Sequence, residues 1–65
     1  MNLFSFVDEI LKRIKDKRNV LIHQLASGSV KDIEHYRSIT GKISSFDETT
    51  YLIQDFIKSL EANNS

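Results

Sequence analysis

His23 and His35 are the only two imidazoles in this chain, and imidazole is the first group to consider for metal binding or proton transfer. A metal pair on one helix needs ligands three or four residues apart. These two are twelve apart, on segments that belong to different helices. A hairpin would bring the two histidines towards each other, but ordinary surface histidine is the simpler expectation, and no metal or cofactor is expected. Gly41-Lys42 has the look of the end of a phosphate-binding loop. That loop also needs a glycine five residues earlier and Ser or Thr directly after, and those places hold Tyr36 and Ile43. None of the serines lies in a nucleophile elbow. Asp47-Glu48 is a carboxylate pair, yet adjacent helical residues point in different directions, so a solvated face is expected. No catalytic residue emerges, and the chain is read as a non-enzyme.

One charge cluster remains: Lys12, Arg13, Lys15, Lys17 and Arg18, diluted by Asp16. A solvated helix face is the plain explanation. A helical-hairpin dimer laying this stripe along RNA or DNA is the main alternative, with binding that weakens as salt rises. A third possibility is an anionic membrane surface taking up Leu3, Phe4, Phe6, Val7, Ile10 and Leu11 ahead of the cluster.

The elements that carry these residues follow from composition and spacing. A chain of 65 residues is one domain. At that size only about 60% of the unfolded surface is buried, and a small fold needs a staple. There is no cysteine, so neither a disulfide nor a thiolate metal site can supply it. Nine basic and nine acidic residues balance, which disfavours a strongly electrostatic nucleic-acid binder. The halves differ: residues 1–28 carry five basic against three acidic, and residues 29–65 four against six. Opposite signs favour packing one half on the other. No apolar run approaches the ~20 residues of a membrane span. Asp8 and Glu9 interrupt the first apolar stretch, unlike a secretory signal, so a cytoplasmic location is expected.

There is no proline, and Gly28 and Gly41 are the only glycines. Leu3, Val7, Ile10, Ile14, Leu21 and Leu25 step by threes and fours, with Lys17 or Arg18 filling the gap after Ile14, which predicts a helix over 3–26. Asp8–Lys12 and Glu9–Arg13 place acid before base on its exposed side. Gly28 predicts a left-handed closure in a turn at 27–29. Ser29 is expected to cap the second helix, with Asp32 in the capping-box position. That helix is predicted over 30–61, followed by a frayed tail at 62–65. Its seam is Tyr36, Ile39, Ile43, Phe46, Thr50, Ile53, Ile57 and Leu60, spaced alternately by three and four as in a coiled coil. A rival three-helix bundle breaks near residues 41–45, where Gly41 could end a helix and Ser45-Phe46-Asp47-Glu48 could start one.

The predicted class is therefore all-α, an antiparallel two-helix hairpin completed as an oligomeric bundle. A three-residue turn sets Leu21 near Tyr36, Ile14 near Ile43, Ile10 near Phe46 and Leu3 near Ile53. In that register the first helix ends early, and Phe56, Ile57 and Leu60 project beyond it. Phe4, Phe6 and Leu52 are also left over. A large apolar patch marks an interaction surface, and a second copy is its simplest cover. The expected oligomer interface is Tyr36, Ile39, Ile43, Phe46, Ile53, Phe56, Ile57 and Leu60.

The run Leu25-Ala26-Ser27-Gly28, with Asp32, Tyr36-Arg37, Gly41 and Ile43, resembles small helical-hairpin proteins of tailed bacteriophages. The stretch Leu52-Ile53-Gln54-Asp55-Phe56-Ile57 continues the likeness, which covers roughly residues 21–60. Where that pattern keeps a glycine before Phe46, this chain has Ser45. The resemblance implies a phage origin and a structural or partner-binding role, in the virion or in the cytoplasm of an infected bacterium. A homodimer or tetramer and a phage or host protein are the partners it implies. It also implies that Tyr36 fills space near the turn and that Gly41 permits close helix crossing. It supplies no catalytic residue.

Overall fold

A computed structural model describes residues 2–63. Two helices make up nearly all of them: α1, Leu3–Ala26, and α2, Ile33–Asn63. Helix α1 starts where Asn2 caps it, its side-chain oxygen accepting from the Ser5 amide at 2.8 Å. Glu9 and Arg13 pair along its exposed side at 3.1 Å. The helix closes on serine hydroxyls. Ser27 and Ser29 both donate to the Gln24 carbonyl, at 3.2 and 3.1 Å. Gly28 then takes a φ of +76°, the left-handed region that the turn requires.

The start of α2 differs from expectation. Ser29 is spent on the end of α1 and does not cap α2. Asp32 is the cap instead, accepting from the His35 amide at 2.7 Å. The first backbone bond of α2, from the Tyr36 amide to the Asp32 carbonyl, agrees with that start. The helix therefore begins at Ile33 and not at residue 30, and the connection is 27–32 and not 27–29. At the far end residues 62–63 are helical rather than frayed, and the rest of the expected tail, residues 64–65, lies outside the described residues. Replacing Asp32 with Ala should cost about 1 kcal/mol in urea denaturation followed by circular dichroism, the usual loss of a helix cap. Ser29→Ala should cost clearly less, because Ser27 still reaches the same carbonyl.

Helix α2 runs unbroken through 41–45, so the three-helix arrangement is not adopted. The three-four phase of the seam passes through that stretch without a slip, and one face stays apolar throughout. Thr40 donates to the Tyr36 and Arg37 carbonyls, which keeps its hydroxyl within the helix. Gly41 is not a point of close helix crossing: a side-chain carbon built there meets nothing within 4 Å. Gly41→Ala should therefore stabilise the fold, by about 1 kcal/mol of helix propensity, read as a higher urea midpoint. A destabilised Gly41→Ala protein would mean that another surface approaches this position.

The register differs from expectation by more than the three added residues of the connection. Arg18 and Asp47 lie level across the hairpin, joined by two hydrogen bonds of 2.6 and 3.2 Å. Leu3, Phe6, Val7 and Ile10 share one groove with Leu52, Ile53, Phe56 and Ile57. Ile10 thus lies alongside residues 52–57, not Phe46, while Leu3 and Ile53 still line one groove. The slip is about two helical turns. The end of α2 does not overhang α1 as expected. The overhang falls at the start of α2, where Ile33 and Tyr36 are exposed.

The result is a thin layer. The hairpin measures 50 × 20 × 12 Å, one helix deep and two wide. Among the described residues only Ile39 is buried, at 2% exposure. The register sets it level with the last turn of α1, where Leu25 and the connector's Val30 are half-buried. The other seam residues of α2, from Ile43 to Leu60, are half-buried against α1, and Tyr36 lies outside the seam.

Candidate functional site

The site of interest lies at the open end of the hairpin, away from the turn. Steps of three and four place Leu3, Phe6 and Ile10 on one strip of α1, and Leu52 and Phe56 on one strip of α2. The shifted register brings these strips side by side. They wall a groove of about 500 Å³ whose eight lining side chains, completed by Val7, Ile53 and Ile57, are all apolar. Four of the eight stand more than half exposed: Leu3 56%, Phe6 54%, Leu52 70% and Phe56 62%. A second groove on the opposite side mixes Phe4, Val7, Leu11 and Ile57 with Asp8, Gln54, Lys58 and Glu61. The polar members of that second lining can remain in water, whereas the first has no polar side chain to hydrate.

The expected interface residues separate into groups. Ile39 is closed off inside its own hairpin and has no surface to offer a partner. Ile43, Phe46 and Leu60 are half-buried in the seam. Ile53, Phe56 and Ile57 do line the open-end groove, while Tyr36 is exposed at the other end. The expected register set Leu3 near Ile53 but left Phe6, Val7 and Ile10 without Leu52, Phe56 and Ile57, which they join in the groove. In the expected register Phe6 and Leu52 are left over from the helix–helix seam.

The basic cluster does not form one stripe. At 100° per residue, Lys12, Arg13, Lys15, Lys17 and Arg18 spread around most of α1. Arg13 is engaged by Glu9, and Arg18 by Asp47. The Asp47 hydrogen bond raises the pKa of the Arg18 guanidinium, a group already charged throughout the physiological range. Asp47 is thus engaged across the hairpin as the partner of Arg18. His35 accepts from the Lys31 amide at 3.1 Å and belongs to the start of α2. Among the described residues no group of three or more His, Asp or Glu side chains is placed to hold a metal ion. No helix among them is long and apolar enough to cross a membrane.

Among the described residues both open-end grooves are surface grooves. The hairpin offers an apolar surface on a layer too thin to bury it. No family model, no curated protein and no solved structure matches this chain.

Proposed function

We propose that this chain is a non-enzymatic, phage-type helical hairpin that self-associates and acts by binding a protein partner, as a virion component, an assembly factor or a modulator of its host. The observation that carries this is the open-end groove, lined by eight apolar residues and unrelieved by a polar side chain. Whole-molecule dimensions support it. A compact monomer of 7.5 kDa exposes about 4,250 Å² by the surface-to-mass relation, whereas this hairpin exposes 5279 Å². The excess, about 1,000 Å², is of the size that one partner buries in a standard protein interface. The radius of gyration agrees: 15.3 Å against about 11 Å for a compact chain of this length.

Helix pairs with short connections commonly complete their cores by bundling with other helices. Nucleic-acid binding through α1 has less support, since two of its five cations are already paired and the rest diverge. Dilution tests the proposal. An obligate assembly loses helicity and melts at lower temperature as protomer concentration falls, by mass action. Helicity measured by circular dichroism should fall with dilution from high to low micromolar protein. A melting temperature independent of concentration over that range would count against it.

A further inference from the structure

The two strips that wall the groove continue towards the turn and change character. On α1 the steps of three and four run Leu3, Phe6, Ile10 and then Arg13 and Lys17. On α2 they run Phe56, Leu52 and then Thr49, Ser45 and Lys42. One face of the hairpin is therefore apolar at its open end and hydroxylated and cationic beyond. No acidic residue falls on either strip, although Glu9 reaches Arg13 from beside it.

This division restricts how a second copy can cover the groove. In a parallel pair, with the two-fold axis along the hairpin, α1 would overlie the partner's α2, and the strips that carry Arg13, Lys17 and Lys42 would be brought against each other. Like charges set against each other cost free energy and select against that arrangement. In a fully overlapped antiparallel pair, the Phe56 ring would lie towards the partner's Lys42 and Phe6 towards the end of the partner's α1, and hydrated groups would be buried without partners. An offset antiparallel pair avoids both. Its two-fold axis crosses the long axis of the hairpin and passes through the groove, so that apolar end lies on apolar end. The charged strips then stay in water on either side.

We propose that a second copy of this chain occupies the open-end groove in this offset arrangement, with the two turn ends pointing away from each other. The proposal rests on the self-association argued above. Leu3, Phe6, Leu52 and Phe56 together give roughly 450 Å² per protomer, so the pair buries about 900 Å², the small end of specific interfaces and about half of the excess surface noted above. An isologous contact of this kind closes on itself and gives a dimer rather than a filament.

Single-cysteine variants test it cleanly, because the chain has no cysteine of its own. Nitroxide labels would be placed at Lys31→Cys, near the turn, and at Glu61→Cys, at the open end. Pulsed electron–electron dipolar spectroscopy then measures the distance between the two copies of each label. The offset dimer predicts about 30 Å for position 61 and about 80 Å for position 31, from a 50 Å hairpin and a 1.5 Å rise per residue. Distances of about 50 Å at position 31 would show full overlap, and about 20–30 Å a parallel pair. Either would overturn the offset geometry and leave self-association standing. A sample with the mass of one chain and no dipolar modulation would overturn both.

Discussion

Replacing Phe56 with Asp should convert the assembly to monomers at low micromolar concentration. Phe56 is 62% exposed in the hairpin, so the substitution removes little that holds the two helices together. It puts a charge into a groove whose other seven lining residues are all apolar. Removing a central aromatic anchor typically costs 2 kcal/mol or more, and a two-fold interface contains every substitution twice. The expected loss is therefore about 4 kcal/mol, or roughly a thousandfold in dissociation constant. Sedimentation velocity over a concentration series would measure it. Tyr51→Asp is the control. Tyr51 is as exposed, at 66%, but lines neither groove, so its substitution should leave the mass unchanged. Equal effects of the two variants would exclude the groove as the interface.

Ile39→Ala should have the second large effect, on folding. Ile39 is the one buried side chain among the described residues. Truncating a buried isoleucine to alanine costs about 2–5 kcal/mol through lost transfer energy and the cavity left behind. A core this small supplies only about 3–5 kcal/mol in total, so the variant should be largely unfolded at 37 °C. The comparison is Ile33→Ala. Ile33 is 60% exposed on the same helix, and its truncation should stay within about 0.5 kcal/mol. Urea titrations followed at 222 nm would separate the two, and similar midpoints would show that Ile39 does not anchor the turn end.

The helices themselves were legible because their signals are local. The threes and fours of Leu3 to Leu25, the unbroken seam from Ile39 to Leu60, the absence of proline and the glycine at 28 need no tertiary knowledge. What could not be read was how the two helices slide against each other. That depended on which polar side chain took which helix end. Ser29 and Asp32 were both competent caps, and nothing local shows that Ser29 turns back to the Gln24 carbonyl. With Ser29 so engaged the connection is longer, and the helices pair with Arg18 opposite Asp47 and the apolar residues of the two chain ends together. Phe6 and Leu52 were visible as surplus, but as parts of one groove they existed only in the shifted register. Gly41 misleads for a related reason. A helical glycine signals close approach only when something approaches, and here the space beside it is open.

The same physics explains why the charged cluster of α1 misleads. Five cations within seven residues look like a patch in sequence, but a helix distributes consecutive residues around its circumference. Arg13 and Arg18 are tied down by acids one turn away and across the hairpin. The surface that distinguishes this molecule is apolar.

The central claim, that this hairpin completes itself with another copy, is tested most directly by its mass in solution. Size-exclusion chromatography with multi-angle light scattering, at micromolar protein and moderate salt, gives that mass without reference to shape. That independence matters for a particle 50 Å long and 12 Å thick. The predicted result is a mass near twice 7.5 kDa, with no excess absorbance at 260 nm. A mass of 7.5 kDa from a protein that still unfolds cooperatively would contradict it.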